Sequence, residues 1–438
     1  MAEQPKKKSP LDWFLNLFAE VKAGEGLVAL LLLLALFLIL ASYYVLKTAR
    51  EGLILGDDIW VPFLGEQPGT EVKIGAGGAM ALLMLAIVPL YGRLASKVPR
   101  KRLLDVSYAL IVGSLTIFFL MDRAGFVVGL GFFIWLGIVN MFIIAQFWSY
   151  ANDLYTEEQG KRLFAVIAIG GSLGAIVGPK LKKLSSVAGM MVIAAGILVA
   201  VILILGVIDR LANKAKPSDA ARAPLKKDGG FELVLRDRYL LLIGVMLIFA
   251  NLVNTTGEFI LGDAFTRYAE AAIPADAADR SKLLREMIGG YYADFFFWVN
   301  LVGFFIQTLL TSRIIKYAGI RTALFVMPAI ALAGYGTIGL IGGLTLIRIA
   351  KIAENSVDYS LQNTVRQSLF LPTSREVKYK AKAAIDTFFV RFGDTAAALV
   401  VLGGIQLLGL DARSFAFINV GVLVLWLLVA FAIARRHK

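Results

Sequence analysis

The sequence predicts an all-α membrane protein with twelve transmembrane helices, arranged as two six-helix bundles in a parallel repeat. Its 438 residues are 58% hydrophobic and their mean hydropathy is +0.74, well beyond the usual apolar share of a soluble domain. Apolar segments recur along the whole chain, and each is long enough to cross roughly 30 Å of hydrocarbon. These segments cover residues 27–47, 74–94, 103–121, 126–150, 162–181, 187–209, 239–262, 293–315, 321–341, 344–370, 381–409 and 412–434.

A polar stretch rich in Lys, Pro and Gly separates the first six segments from the last six. Such a composition is typical of a flexible linker. We therefore expect four parts, which are a cytoplasmic and interfacial segment (1–26), a first bundle (27–212), a cytoplasmic linker (213–238) and a second bundle (239–438). Residues 263–290, after the seventh segment, are expected to form a long extracytoplasmic loop.

Charge and composition exclude several classes of function. The net charge of +13 gathers at the N-terminus, at every second loop and at the C-terminus. This pattern indicates a bacterial inner-membrane protein with both termini in the cytoplasm, rather than a nucleic-acid-binding protein. The chain has no cysteine and its only histidine is His437, which excludes thiol catalysis and histidine metal sites. No nucleophile–base pair is visible, so neither an enzyme nor a bound cofactor is expected.

The two halves resemble each other in sequence. Thr48–Asp57 reads TAREGLILGD, at the end of the first segment, and Thr255–Asp263 reads TTGEFILGD, at the end of the seventh. A parallel six-plus-six repeat is the major facilitator arrangement, in which the substrate site lies near the membrane midplane. In the fifth segment four glycines recur at small-residue packing intervals, and we interpret them as helix-packing positions. They are Gly170, Gly171, Gly174 and Gly178.

Polar side chains recur every three or four residues within the tenth segment, which places them on one helix face. They are Arg348, Lys351, Asn355, Asp358, Gln362 and Arg366. A cation at mid-bilayer costs roughly 2.5–3.5 kcal/mol, so this face must line protein or water rather than lipid. A polar, cation-rich cavity inside a membrane bundle indicates an anion-binding site.

The first, fourth, seventh and eleventh segments carry further polar faces. The candidate substrate-binding residues are Lys47, Arg50, Asn152, Asn254, Glu258, Arg348, Lys351, Asn355, Asp358, Lys382 and Asp386. An alternative interpretation is that these groups only pair with each other to lock the bundle. On that interpretation Arg348, Lys351, Glu354 and Asp358 form a salt-bridge ladder, and Lys382 pairs with Asp386.

Three short strings resemble the ATP/ADP antiporter family of plastids and intracellular bacteria. They are KYKAKAAID at residues 378–386, LKTARE at 46–51, and FWSYAN at 147–152 followed by Lys161 and Arg162. The resemblance implies exchange of nucleotides through a central basic cavity, with Lys47 and Lys382 matching cations that the family uses for transport. The family's acidic residue before the fourth-span lysine falls on Gln159, and this departure leaves open another nucleotide or phosphorylated metabolite as substrate.

The sequence thus predicts a secondary transporter that exchanges ATP/ADP-like nucleotides or related phosphorylated anions by alternating access. The expected partners are that anion and the lipid bilayer, with a soluble domain fused or associated at the C-terminus as a further possibility, and no nucleic acid. Two alternatives stay open. One is a proton-coupled facilitator of another solute, with Asp153, Glu258 or Asp358 as proton carrier, and the other is a membrane sensor or scaffold that moves no solute.

Overall fold

The computed structural model describes residues 10, 21–61, 65–95, 100–155, 157–211, 230–370, 373 and 381–436. The chain divides into two compact units. The first comprises Met1–Glu51, Leu90–Ala223 and Tyr292–Phe297, and the second comprises Gly52–Pro89, Pro224–Tyr291 and Trp298–Lys438. Each unit draws on separate parts of the chain, and the division into bundles at 27–212 and 239–438 stays a prediction.

Most of the described residues form α-helices, and nine of the helical segments are apolar and long enough to span a membrane. In chain order the α-helices are α1 (Gly26–Leu55), α2 (Gly69–Ala95), α3 (Arg100–Arg123), α4 (Gly129–Leu154), α5 (Glu157–Lys180), α6 (Val187–Leu211), α7 (Gly230–Arg236), α8 (Arg238–Ala272), α9 (Arg280–Phe305), α10 (Ser312–Ala323), α11 (Val326–Leu340), α12 (Leu344–Val357), α13 (Asn363–Ser368), α14 (Lys382–Ala384), α15 (Val390–Leu408) and α16 (Ala412–Arg436).

Shorter elements join some of these helices. Three π-helical turns follow α9, α12 and α14 at Ile306–Thr311, Asp358–Gln362 and Ile385–Phe389, and a 3₁₀ turn, Leu181–Leu184, follows α5. Between α1 and α2 lies an antiparallel pair of short strands, β1 (Ile59–Val61) and β2 (Gly65–Gln67), with Ile59 opposite Gln67.

The all-α membrane fold is confirmed. Within the described ranges nine helices are long and apolar enough to cross a membrane, or ten if the pair Arg313–Ala323 and Val326–Leu340, bent by 74°, counts as one span. The predicted count of twelve also requires α2, which covers the segment 74–94, and α12 with α13, which cover the polar segment 344–370.

In the first unit, glycines let α5 approach α1 closely. A Cβ at Gly170 would overlap the Leu33 carbonyl oxygen, and a Cβ at Gly174 would overlap that of Phe37. A Cβ at Gly178 would lie 2.6 Å from the Ala41 carbonyl oxygen. The predicted small-residue packing is confirmed, since only a residue without Cβ fits at these contacts.

In the second unit, α8 is the central helix, and α12, α15 and α16 pack against it, while α11 packs on α12 and α16. The Asp237 side chain caps the start of α8 by accepting a hydrogen bond from the Tyr239 N–H at 2.8 Å. At the end of α15, Gly409 adopts φ 61°, and the Leu410 N–H closes the turn on the Gly404 carbonyl.

Two predicted irregular segments are partly helical. The loop expected at 263–290 shortens to residues 273–279, because α8 extends to Ala272 and α9 begins at Arg280. An i,i+4 ion pair between Asp263 and Arg267, at 2.9 Å, supports the added turns of α8. Within the predicted linker, residues 230–236 form α7.

The chain bends by 74° between Arg313–Ala323 and Val326–Leu340, where the eighth predicted segment, 293–315, leads into the ninth, 321–341. Gly319 adopts φ 77° inside α10, a conformation that interrupts a right-handed helix and that glycine adopts without steric cost. The chain therefore turns before α11 begins at Val326.

A polar contact in the second unit ties the end of α1 to the start of α9. Arg285 donates to the Asp57 carboxylate from Nε at 2.7 Å and from Nη2 at 2.5 Å, and Ser281 donates to the same group. A Cβ at Gly56 would lie 2.5 Å from the Arg285 Cγ, so the absence of a side chain there permits this contact.

Candidate functional site

The most deeply buried charges of the second unit lie on α12. Lys351 is fully buried and its Nζ lies 2.9 Å from Oε2 of Glu354, one turn later on the same helix. The Glu354 side chain is only 2% exposed. An ion pair excluded from water to this degree is stable only when each charge keeps its partner.

A second carboxylate, on α8, reaches the same ammonium from a more open position. Oε1 of Glu258 lies 3.6 Å from Lys351 Nζ, and the Glu258 side chain is 26% exposed. Lys351 also donates to Asn254 Oδ1 at 3.3 Å, and Asn355 Nδ2 donates to Glu258 Oε1 at 3.0 Å. Four of the sequence-predicted site residues are thus brought together, two from each helix.

Sequence reasoning missed two residues that shape this cluster. The Tyr335 hydroxyl, on α11, donates to Oε2 of Glu354 at 2.7 Å. A Cβ at Gly257 would overlap that hydroxyl and would lie 2.8 Å from Lys351 Nζ. A tyrosine inside an apolar span was a usable signal, because a buried hydroxyl needs a hydrogen-bond partner.

The rest of the tenth segment departs from α-helical geometry. Asp358 begins the π-helical turn Asp358–Gln362, and Thr364, just beyond it, donates to Gln307 in the turn Ile306–Thr311 at 3.4 Å. Single π-turns within α-helices are frequent at functional sites. Arg348 is partly buried one turn before Lys351, so the structure places the predicted polar residues along one continuous helical path.

Lys382 and Asp386 form the looser pair that their spacing predicted. Lys382 Nζ lies 4.0 Å from Oδ2 of Asp386, and the two side chains are 29% and 34% exposed. The Lys382 ammonium also lies 6.0 Å from the centre of the Phe370 ring. Asp386 falls in the third π-helical turn. A long and partly hydrated pair of this kind contributes little to stability.

The first unit places Lys47 and Arg50 against aromatic rings. Lys47 Nζ lies 4.2 Å from the centre of the Phe296 ring, and the Arg50 guanidinium lies 4.6 Å from that of Phe133. Arg50 also donates from Nε to Oε1 of Glu51 at 3.0 Å, and the Glu51 side chain is 1% exposed. Ring faces stabilise these cations in a site of low polarity.

Another polar contact of the first unit joins the last residue of α5 to the middle of α9. Lys180 Nζ is 3.4 Å from Oδ1 of Asp294 and 3.6 Å from the centre of the Phe297 ring. The side chains of Asn152 and Asp153, a predicted site residue and a predicted proton carrier, lie outside the described residues.

Gln159, at the position where the resembling family has an acidic residue, forms a side-chain hydrogen bond with Glu25. Gln159 Nε2 donates to Oε1 of Glu25 at 3.0 Å, and Arg162 binds both oxygens of that carboxylate at 3.0 and 3.1 Å. Burial would raise the pKa of Glu25, but hydrogen bonds from Arg162, the Lys22 N–H and Gln159 outweigh it and hold the pKa below its usual value.

Chemically, these sites offer ammonium and guanidinium groups whose partners are carboxylates or ring faces. Such groups bind phosphate by charge-assisted hydrogen bonds. In the part of the chain that the structure describes, no cluster of three His, Cys, Asp or Glu residues could hold a metal ion.

Two family models match the chain. The model described as TLC ATP/ADP transporter matches residues 177–437, and the Major Facilitator Superfamily model matches residues 2–179.

Curated relatives carry the name ADP,ATP carrier protein. The chain is 23% identical to ADP,ATP carrier protein 1 of Chlamydia trachomatis in an alignment 339 positions long, which covers 66% of this chain and 61% of that protein. It is 21% identical to ADP,ATP carrier protein 5 of Rickettsia conorii in an alignment 309 positions long, which covers 60% of this chain and 59% of that protein. The match therefore spans about three fifths of the length of these relatives.

Solved structures show the same fold at low identity. A bacterial homologue of the human lysosomal transporter Spinster, in an inward-facing and unoccupied conformation, matches with a TM-score of 0.59 and 12% identity over 94% of this chain and 97% of that chain. The nucleoside transporter NupG matches with a TM-score of 0.57 and 15% identity over 94% of this chain and 100% of that chain.

Proposed function

Because the chain belongs to the TLC ATP/ADP transporter family, we propose that it exchanges nucleotides such as ATP and ADP, or related phosphorylated anions, across a membrane by alternating access. The relatives named ADP,ATP carrier protein support this substrate class. The multi-pass helical fold supports the transport mechanism, because transporters of this fold expose a central site alternately to the two sides.

The observation that carries the proposal is the unequal pair of carboxylates around Lys351. Glu354 is 2% exposed and binds the ammonium at 2.9 Å, whereas Glu258 is 26% exposed and lies at 3.6 Å. A phosphate oxygen can take the place of Glu258 without uncovering a buried unpaired charge, because Glu354 stays bound to Lys351. Glu258 then acts as the exchangeable partner that holds the cation when the site is empty.

Lys47 in the first unit and Lys382 in the second are two further candidates for binding phosphate. Lys47 rests on the Phe296 ring, whose face stabilises the ammonium inside the protein, and the positive charge attracts an incoming anion. The Lys382–Asp386 pair is long and partly exposed, so a polyanion competes well with Asp386 for the ammonium. We propose that Lys47, Lys351 and Lys382 bind phosphate groups, with Arg50 and Arg348 contributing positive charge and Asp358 acting as a further exchangeable carboxylate.

The amide side chains complete the proposed site. Asn254 and Asn355 contact Lys351 and Glu258, and amides can donate to a phosphate or to a base without adding charge. Asn152, predicted on the same grounds, stays a prediction.

For location, we propose a bacterial inner membrane with both termini in the cytoplasm, since basic residues gather at the termini and at alternate loops. The lipid bilayer is then the second partner. A soluble domain fused or associated at the C-terminus stays a prediction.

The test is uptake of labelled ATP into proteoliposomes that contain ADP, phosphate or buffer alone. Exchange requires uptake with internal ADP and little uptake into empty vesicles. Lys47→Ala and Lys382→Ala should each reduce uptake at least tenfold. The matched control is Lys316→Ala, because Lys316 is an exposed cation of α10 beside Tyr317.

Other results would replace the proposal. Uptake that ignores the vesicle contents but follows a pH gradient would indicate a proton-coupled carrier, the alternative in which Glu258 or Asp358 carries the proton. Nucleotide binding without flux into any vesicle would instead favour the sensor interpretation.

A further inference from the structure

The two sequence repeats place chemically related residues at the same intervals. At the end of α1 the positions are Lys47, Arg50 and Glu51, and on α8 they are Asn254, Gly257 and Glu258. The carboxylate is kept in both repeats. Both cations of the first repeat are replaced in the second by an amide and a glycine.

In the first unit the carboxylate receives its cation from its own helix. Arg50 precedes Glu51 directly and donates to it from Nε and Nη2. The pair is largely buried, with side chains 13% and 1% exposed.

In the second unit the corresponding cation comes from another helix. Lys351 of α12 contacts Asn254 at 3.3 Å and Glu258 at 3.6 Å, and its Nζ lies 2.8 Å from where a Cβ of Gly257 would be. The Lys351 ammonium thus contacts Asn254 and Glu258, which correspond to Lys47 and Glu51, and it lies in the space that a side chain at position 257, the counterpart of Arg50, would need.

Two further groups fix the ammonium there. Glu354 binds it at 2.9 Å, and the Tyr335 hydroxyl, which donates to Glu354 at 2.7 Å, would also collide with a Cβ at Gly257. The glycine therefore accommodates both the cation and the hydroxyl that orients its buried counter-charge.

We propose that Gly257, Glu354 and Tyr335 are positioning residues that hold the Lys351 ammonium as the counterpart, in the second repeat, of Arg50. The inference rests on the proposed function, because it assigns Lys351 to the phosphates of the substrate. The counterpart differs from Arg50 in one respect. Lys351 lies on α12 and its second carboxylate, Glu258, lies on α8. A shift of α12 relative to α8 therefore separates Lys351 from Glu258, while Lys351 and Glu354 stay paired because both are on α12.

The experiment compares Gly257→Ala with Gly336→Ala in full-length protein reconstituted in proteoliposomes. Gly336 is a helical glycine next to Tyr335, and a Cβ there would meet no atom within 4 Å. We expect Gly257→Ala to raise the KM for ATP in ATP/ADP exchange about tenfold, with a smaller change in the maximal rate, whereas Gly336→Ala leaves both constants unchanged.

A double-variant cycle separates positioning from a general structural role. If Gly257 acts by seating Lys351, Gly257→Ala adds little to the loss of pyrophosphate affinity caused by Lys351→Met combined with Glu354→Leu, because the interaction has already been removed. Tyr335→Phe should behave in the same way with a smaller effect, and it keeps the test available if Gly257→Ala does not yield monodisperse protein. Additive defects would overturn the proposal.

Binding of inorganic pyrophosphate to the detergent-solubilised protein distinguishes failure of this inference from failure of the proposed function. If the wild-type protein binds pyrophosphate but does not exchange ATP for ADP, the nucleotide assignment fails, and weaker pyrophosphate binding by Gly257→Ala would still support the positioning role. If the wild-type protein exchanges ATP and the KM of Gly257→Ala equals that of the wild type, the positioning role fails alone. Loss of pyrophosphate binding and of exchange in the wild type would overturn both.

Discussion

Lys351 and Glu354, one turn apart on α12, form an ion pair almost completely removed from solvent. Their Nζ and Oε2 atoms are 2.9 Å apart, and the side chains are 1% and 2% exposed. The desolvation cost of two such charges is offset only while both are present. Replacing one residue of the pair should therefore lower stability, whereas replacing both with apolar residues should remove the cation without that loss.

The first prediction concerns stability. Lys351→Met leaves the Glu354 carboxylate buried without its cation, and we expect it to lower the free energy of unfolding by about 3–5 kcal/mol. Lys351→Met combined with Glu354→Leu should recover most of that loss, because well-packed apolar groups can replace a buried ion pair at little cost. Thermal unfolding in detergent measures both variants. A double variant no more stable than the single one would contradict the prediction.

That pair of variants also separates folding from transport. We expect ATP/ADP exchange to be absent from the double variant even though its stability is regained, since no ammonium remains beside Glu258. Exchange at the wild-type rate by a stable double variant would show that Lys351 does not belong to the substrate site.

The second prediction concerns Glu258 as the exchangeable partner. Glu258→Gln removes the charge that competes with substrate phosphate for Lys351, so the KM for ATP should fall several-fold. Initial rates of ATP uptake into ADP-loaded vesicles provide the measurement. Glu270→Gln is the matched control, because Glu270 is an exposed carboxylate further along α8. A higher KM for Glu258→Gln would instead show that the carboxylate contributes to substrate binding.

The third prediction uses the pH dependence of Glu25. Its pKa is lowered in the folded protein by bonds from Arg162, the Lys22 N–H and Gln159, which outweigh the opposing effect of burial. A lowered pKa stabilises the folded state above the unfolded-state value, about 4.3, and this contribution is lost as the pH falls through the folded-state value. Glu25→Gln should therefore lower the Tm at pH 7 by a few degrees.

The difference in Tm between Glu25→Gln and wild type should shrink as the pH is lowered below about 4. Glu232→Gln is the control, because its ion pair with Arg236 is exposed on α7 and exposed pairs contribute little. A Tm difference that stays constant from pH 7 to pH 3.5 would show that the Glu25 charge does not contribute.

The fourth prediction concerns Gln159, whose amide donates to Glu25 at 3.0 Å. Gln159→Glu places a second carboxylate there, and repulsion should raise the pKa of Glu25 and lower the Tm at pH 7. The loss should be smaller at pH 4, where protonation relieves the repulsion. An unchanged Tm at both pH 7 and pH 4 would indicate that Arg162 alone neutralises the two carboxylates, at positions 25 and 159.

The fifth prediction concerns the contact of α5 with α1. A Cβ at Gly174 would overlap the Phe37 carbonyl oxygen, so Gly174→Ala should destabilise the protein by about 1–3 kcal/mol. Gly196→Ala on α6 is the control, because a Cβ there would meet no atom within 4 Å. Equal unfolding temperatures for the two variants would contradict the tight packing.

Part of the candidate site could be predicted from local spacing alone. Lys382 and Asp386 are four residues apart, and their contact follows from helix geometry. The meeting of Lys351 with Glu258 could not be predicted in this way, because it joins residues far apart in the chain. The role of Gly257 was equally hidden, since a glycine in a membrane helix indicates close packing without showing which group comes close.

What the sequence determined by itself is the membrane class, the helical fold and the helix faces that carry polar residues. These follow from the length of the apolar segments and the spacing of polar residues within them, which are properties of one chain segment at a time. The tertiary structure alone decided which carboxylate is the fixed partner of Lys351 and which is the open one. Burial and distance are set by the packing of α8, α11 and α12 against one another, and packing depends on contacts between segments that no local pattern encodes.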